Sequence, residues 1–340
     1  MAGFKFVMAL KKINFITGHD TLSVNNYYLS LTPNGKGVMN GYQFFFNQDI
    51  EDYDYIVIFE KLSRPLQTSI PVEKIIFVAG EASSIKKYRK KFLRQFGHII
   101  TCQKSMKHKS KFLRSPGHTW FSKRTYDELL NTTVVKKTKL LSIVVSNKKF
   151  THGHRQRLEF CLKLKRRLGD QVDFFGRGFN EFDDKWEAIA PYKYSIAIEN
   201  SNENHWVTEK IGDCFTSHTF PFYIGAPNIE DYYDPRSFVL IDFNDFEGSI
   251  EKILNIISDD EHYDNHLDYL LQAKYDYINN HSIIPMVCKF IDNEVNKDGD
   301  IKKNTVIKLF PEHILKYKIR FRISKLIQKL KAFLTVSVSR

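Results

Sequence analysis

The chain runs to 340 residues, of which 42% are hydrophobic and 14% aromatic, enough for two packed domains and too much for a disordered or fibrous protein. Four widely spaced cysteines without a CxxC pair argue against a zinc site and a disulfide framework, and no run of about 20 apolar residues exists to cross a membrane. The net charge of +12 is uneven: residues 311–340 hold eight Lys/Arg against Glu312 alone, which is +7 of the total and leaves +5 for the other 310, so no nucleic-acid partner is expected.

The opening stretch has no basic run ahead of its apolar patch and no small-residue cleavage site. It predicts a first strand over Phe4–Leu10 rather than a signal peptide, and with the scattered cysteines it predicts a cytoplasmic protein. Asp54–Phe59 and Lys74–Ala79 are Ile- and Val-rich runs of strand length. Ser84–Phe96 predicts a basic helix stopped by Gly97, and His98–Cys102 a further strand. Asn131–Lys139 is polar and aperiodic, as a linker is. A second unit starts with the strand Leu140–Val145. An amphipathic helix follows over Arg155–Leu168, with Leu158, Cys161, Leu162 and Leu168 on one side, and then a strand over Gln171–Phe175. Phe220–Ile224 and Ser237–Ile241 read as strands, Ile250–Ile257 and Leu267–Ile278 as helices. The pattern predicts an α/β protein with two Rossmann-like domains facing across a cleft, residues 1–135 and 136–300, followed by a basic tail over 301–340.

In that tail, Leu315, Ile319, Ile323, Leu326, Ile327, Leu330 and Leu334 form one stripe, with Lys316, Arg322, Lys325 and Lys329 mostly elsewhere. A basic amphipathic helix over 314–334 suits the surface of an anionic membrane, and equally a terminal helix packed back on its domain. The absence of any acidic residue after Glu312 tilts the reading toward peripheral membrane contact.

The chemistry gathers between Tyr192 and Gly225. Ser195–Asn200 is an apolar run closing in a Glu and an Asn, and Thr208-Glu209-Lys210 then opens a helix with a cation in its first turn. The positive end of a helix dipole disfavours Lys, so this one is placed for an anionic ligand such as a phosphate. Gly176-Arg177-Gly178 follows the strand ending at Phe175. Its glycines allow close backbone approach, and Arg177 offers a fork of donors for phosphate oxygens. Glu209 complements the helix dipole, or alternatively accepts hydrogen bonds from a ribose diol. Gly80-Glu81 ends a strand of the first half, where Glu81 is an ordinary loop carboxylate unless it faces the phosphate site, in which case it is placed as a general base. Trp206 is expected to contact a bound nucleotide. Asp52-Tyr53-Asp54, Asp242-Phe243-Asn244 and the loop His152-Gly153-His154 lack a complete metal-ligand set and read as solvated polar residues.

The segment from Tyr192 through Asp242, with its strand ending Glu-Asn-Ser, its Trp206-Val-Thr-Glu-Lys210 and its Pro-containing strand ending in Gly225, resembles the donor-binding signature of the α-1,3/4-fucosyltransferase family, its bacterial members above all. The match is specific over Leu140–Asp245 and thin before it. The resemblance implies a GT-B fold, with an N-terminal acceptor domain and a C-terminal GDP-fucose domain. It implies inverting transfer of L-fucose from GDP-β-L-fucose to an oligosaccharide or glycolipid acceptor such as a lipopolysaccharide. No cofactor is implied beyond the donor substrate, with a divalent ion at most stimulatory. Carried over by residue, Lys210 and Arg177 hold the pyrophosphate, Glu209 the ribose, Asn200 the phosphate–sugar region, and Glu81 deprotonates the acceptor hydroxyl. Trp206 stands where the family carries Tyr, which removes a hydroxyl. Two alternatives stay open: a transferase of another GDP-activated deoxysugar, and a non-catalytic glycan- or nucleotide-binding protein. The joint presence of Glu81, Arg177 and Lys210 argues against the second.

Overall fold

In the computed structural model, which describes residues 9–296 and 306–315, two largely parallel sheets carry the chain. The first sheet is built from β1 (Lys11–Ile16), β2 (Val38–Met39), β3 (Tyr42–Phe46), β4 (Tyr55–Phe59), β6 (Ile75–Ala79), β7 (His98–Thr101) and β8 (Lys111–Leu113), in the order β2-β3-β1-β4-β6-β7-β8. All neighbours are parallel except β2 and β3. The short β5 (Leu66–Thr68) pairs antiparallel with β14 (Ile307–Leu309). The second sheet comprises β9 (Lys139–Val144), β10 (Val172–Phe175), β11 (Tyr192–Ile198), β12 (Phe220–Ile224) and β13 (Val239–Leu240). Its order is β10-β9-β11-β12-β13, parallel throughout. Strands β6 and β12 are buried at every position, which is why they read as unbroken apolar runs.

The chain moves from β9 outward to β10 and then back across β9 to β11. The strand order therefore reverses beside β9, and the crevice beyond the C-terminal ends of β9 and β11 is where open α/β sheets take ligands. The helix His152–Leu168 starts at this edge after β9, and the helix Glu209–Thr216 starts there after β11.

Several elements differ from expectation. Of the strand expected at Phe4–Leu10, residues 4–8 lie outside the described residues, and the first strand begins at Lys11, where Ile13 and Phe15 turn into the core. Within Ser84–Phe96 only Lys90–Leu93 is helical. Arg89 provides no side-chain cap, and Tyr88, Phe92 and Phe96 are instead fixed around Phe77 at 4.9–5.3 Å between ring centroids. His152-Gly153-His154 is the first turn of a helix rather than a loop, capped by Thr151, whose Oγ1 accepts from the His154 N–H at 3.3 Å. The helix Ile283–Phe290 and the turn after it return to the first sheet: Phe290 packs on Phe112 at 4.8 Å, and Tyr42 donates to Asp292 at 2.5 Å. The amphipathic stretch 314–334 lies outside the described residues beyond Leu315.

Candidate functional site

Strand β11 delivers Glu199 into the interior, where 1% of the residue is exposed. A carboxylate at that depth must be paired. Thr208, the N-cap position of the helix Glu209–Thr216, meets this need instead of capping its own helix. Its hydroxyl lies 2.6 and 2.8 Å from the two Glu199 oxygens, and its N–H donates to Oε1 at 2.9 Å. Lys210 Nζ completes the cluster, 3.0 Å from Glu199 Oε2, 3.1 Å from Glu209 Oε1 and 2.8 Å from Thr208 Oγ1. Burial opposes the charge on Lys210, but Glu199 and Glu209 outweigh it and hold the ammonium above its ordinary value. Burial likewise opposes ionisation of Glu209, and Lys210, Lys185 and His118 reverse it, leaving the carboxyl well below its usual range. The role of Glu199 as anchor of the cation had no counterpart in the sequence reading.

Nor had Arg157. It projects from the helix His152–Leu168 and is 7% exposed, donating through Nη2 to Ser146 Oγ at 3.5 Å, with its Nε unpaired among the described residues. Burial lowers its pKa, against Cys161, Glu199 and Glu209, which raise it. A buried guanidinium with an unfilled N–H, among carboxylates at the strand reversal, is a ready anion ligand. Its signal in the sequence is an arginine on the apolar stripe, in step with Cys161, Leu164 and Leu168. Arg177, by contrast, sits exposed on the loop after β10. That loop folds tightly over the end of β9. Gly176 has φ +128°, and an added Cβ there would lie 2.0 Å from the Val145 carbonyl oxygen.

Trp206 differs from the expectation of an open nucleotide contact. It is 2% exposed and packed against Ala82 and Cys102 of the first domain, with its ring edge-on to His118 at 5.2 Å. Its Nε1–H donates to Asn200 Oδ1 at 3.0 Å and so fixes the carboxamide, which borders a cavity of about 400 Å³ lined by Thr151, His152, Gly153, Gln156 and Glu199. Gly153 is required here because a Cβ would lie 2.0 Å from the Asn200 carbonyl oxygen.

Glu81 projects from the end of β6 in the first sheet. Burial pushes its carboxyl up to about 7, with Glu60 adding to the rise, Lys210 and Lys86 pulling it down, and Glu209 raising it again. The residue after Glu81, Ala82, packs on Trp206, and Ser83 bonds to Glu203, so this strand end abuts the loop that leads into the helix of Lys210 across the interdomain cleft. His118, whose pKa burial lowers to about 4, is neutral there, and its buried Nε2 is unpaired among the described residues. The cleft is pinned at its margins by Ser83 N–H donating to Glu203 at 2.8 Å and Phe121 N–H donating to Asp213 at 2.8 Å. Among the described residues no group of three or more His, Cys, Asp or Glu is arranged to hold a metal ion.

Comparison with known proteins bears on the family and the fold. The model of glycosyltransferase family 10 (fucosyltransferase), C-terminal part, matches residues 134–308, just over half of the chain. The chain is 39% identical over 77 residues to an α-(1,3)-fucosyltransferase of Helicobacter pylori, covering 22% of this chain and 16% of that one. It is 28% identical over 148 residues to a 3-galactosyl-N-acetylglucosaminide 4-α-L-fucosyltransferase of Bos taurus, covering 42% and 38%. These matches thus span well under half the length of the relatives. Among solved structures, an α1,3-fucosyltransferase crystallised with GDP-fucose superposes with a TM-score of 0.52 at 18% identity, covering 87% of this chain and 93% of that one. An α-glucosyltransferase in complex with UDP and DNA gives 0.53 at 10% identity, covering 85% and 100%. Both share the fold, two Rossmann-like domains in the GT-B arrangement.

Proposed function

The chain belongs to glycosyltransferase family 10, the fucosyltransferases, and from that premise we propose that it is an inverting enzyme moving L-fucose from GDP-β-L-fucose to a glycan hydroxyl. The observation that carries the proposal is the opposition of Glu81, a carboxyl poised near neutrality, to the Lys210 cluster across the cleft. Single displacement at the anomeric carbon needs a base on one face and charge stabilisation on the other. Glu81 takes the acceptor proton as the acceptor oxygen bonds to the anomeric carbon. The bond from that carbon to the β-phosphate oxygen breaks, and its electron pair leaves with GDP. Lys210, Arg157 and Arg177 neutralise the growing charge on the pyrophosphate without a metal. Glu209 accepts ribose hydroxyls, and Asn200, held by Trp206, meets the phosphate–sugar junction.

The acceptor in this proposal is a GlcNAc or Glc unit of a surface polysaccharide or lipopolysaccharide, joined in α-1,3 linkage. The names of the Helicobacter pylori relative and the α1,3-fucosyltransferase structure support that choice. Contact with an anionic membrane on its cytoplasmic side is supported by charge. Residues 82–126 hold 13 Lys/Arg and no Asp or Glu, and the last described residue, Leu315, packs in the same apolar cluster as Phe92, Leu93 and Phe96 within that basic stretch. No helix among the described residues is long and apolar enough to cross a membrane.

The deciding experiment is incubation with GDP-fucose and a glycan array, followed by linkage analysis. Transfer of fucose in α-1,3 linkage with the purified chain is the expected result. Consumption of a different GDP-deoxysugar alone would refute the donor, and GDP binding without any turnover would refute the enzyme.

A further inference from the structure

We propose that Glu60 is a positioning residue for the transfer reaction, a second carboxylate that acts on the acceptor through Glu81. The inference rests on the reading of Glu81 as the base. Glu60 is the first residue beyond β4 and has φ +62°, in the left-handed region that a side chain like Glu rarely adopts. Its N–H donates to the Val78 carbonyl at 2.8 Å, which continues the pairing of β4 with β6 one step past the strand. The unusual φ turns the side chain back over the neighbouring strand end. A Cβ added to Gly80 would lie 2.3 Å from Glu60 Oε1 and 2.5 Å from Cγ, so the carboxylate occupies the place of a missing side chain beside Glu81. Gly80 and Glu60 are complementary: the glycine makes the room, and the strained backbone fills it with charge.

The surroundings say what that charge does. Facing Glu81 are Glu60, Lys86, Lys210 and Glu209; facing Glu60 are Lys86 and Glu81, with the neutral phenols of Tyr28 and Tyr88 close by. Lys86 donates through Nζ to the Glu60 carbonyl oxygen at 3.2 Å, which sets an ammonium against both carboxylates without pairing fully with either. Burial raises the pKa of Glu60 and Lys86 lowers it, and the charge of Glu60 adds to the rise that burial gives Glu81. An ionised Glu60 makes Glu81 hold a proton more tightly. The base is then stronger at neutral pH, and the proton is kept once it is taken.

The test is the pH profile of kcat/KM for Glu60→Gln, which keeps the shape over Gly80 and drops the charge. The acidic limb is expected to move to lower pH by about half to one unit, as for loss of one neighbouring like charge, with GDP affinity within about twofold of the parent. An unmoved limb in a folded Glu60→Gln protein overturns the proposal. Glu60→Gly, which relieves the positive φ, keeps the question open should the amide variant fail to fold. A shift of its limb in the same direction supports the charge, and an unmoved limb again overturns it. Glu81→Gln, assayed alongside, separates the two readings. If it abolishes transfer while the Glu60 variants leave the limb in place, the base stands and Glu60 falls; if it transfers at the parent rate, both fall.

Discussion

Glu199 and Lys210 meet at 3.0 Å at the first turn of the helix Glu209–Thr216, the carboxylate fully buried and the lysine side chain 19% exposed. This pair turns a cation at the unfavourable end of a helix into a fixed feature of the site. Because Glu199 is also bound by both the N–H and the hydroxyl of Thr208, removing its charge disturbs three groups at once. Glu199→Gln is expected to lower unfolding free energy by about 3–5 kcal/mol, the cost of breaking a buried pair. Chemical denaturation measures the loss. A change below about 1 kcal/mol would mean that Lys210 is held by Glu209 alone.

The carboxyl of Glu81 predicts two pH effects of opposite benefit. As a base it works only when ionised, so kcat/KM is expected to rise with pH through about 7. For stability the sign reverses. The folded pKa lies above the unfolded one near 4.5, so the protonated form stabilises the fold below that value, and the contribution is lost as pH rises through about 7. Glu81→Gln is therefore expected to melt higher than the parent at pH 8 and equally at pH 4.5. Equal melting at both would show that the carboxyl is solvated in the folded state.

Arg157 carries the same tension between stability and binding. Its charge is buried with an unpaired Nε, so Arg157→Met is expected to raise the stability of the free protein by about 1–3 kcal/mol. The same change is expected to weaken GDP binding by at least about tenfold, the worth of a charge-assisted contact. Calorimetric titration with GDP reads one effect and thermal unfolding the other. Unchanged GDP affinity would remove Arg157 from the pyrophosphate site.

Two lysines beside the interdomain connection have no carboxylate partner among the described residues. Lys137 donates to the carbonyls of Ala190 and Ser217 at 2.8 Å, and burial brings its pKa down to about 7. Lys274 meets His218 Nε2 at 2.9 Å and the Thr132 carbonyl at 3.3 Å, with its pKa lowered by burial to about 8. Depressed lysines stabilise the fold when neutral. Their contribution is present above the unfolded value near 10.5 and is lost as pH falls through about 8 and then about 7. Urea midpoints are expected to rise between pH 7 and pH 9.5, and the rise should shrink in Lys274→Met. An undiminished rise in that variant would place the titration elsewhere.

Much of this is legible in the sequence. Strands β6, β11 and β12 are buried on both faces, so their apolar runs identify them without help from periodicity. Lys210 stood out because it defies the helix dipole, and Glu81 because a strand ends in Gly-Glu. Glu199 and Arg157 stayed hidden for one reason: each matters through a partner more than nine residues away or on another element, and burial decides their meaning. The place of Trp206 beside Thr208 suggests a ligand contact, yet the packing that claims it comes from Ala82 and Cys102, more than 100 residues earlier. The basic stretch from Ser84 had helical composition but no cap, and tertiary contacts of Tyr88 and Phe92 took precedence over propensity.

The return of the chain to the first sheet after Ile283 means that the polypeptide passes between the domains twice, once over residues 132–138 and again near Ser282. At the second passage Gly117 comes so close that a Cβ there would lie 3.0 Å from the Ile283 Cα. The two crossings lie close together, since Lys274, on the helix shortly before the second, bonds to the Thr132 carbonyl of the first. A single cut in either connection therefore leaves the two halves joined by the other, so one nick does not release the donor half from the base half.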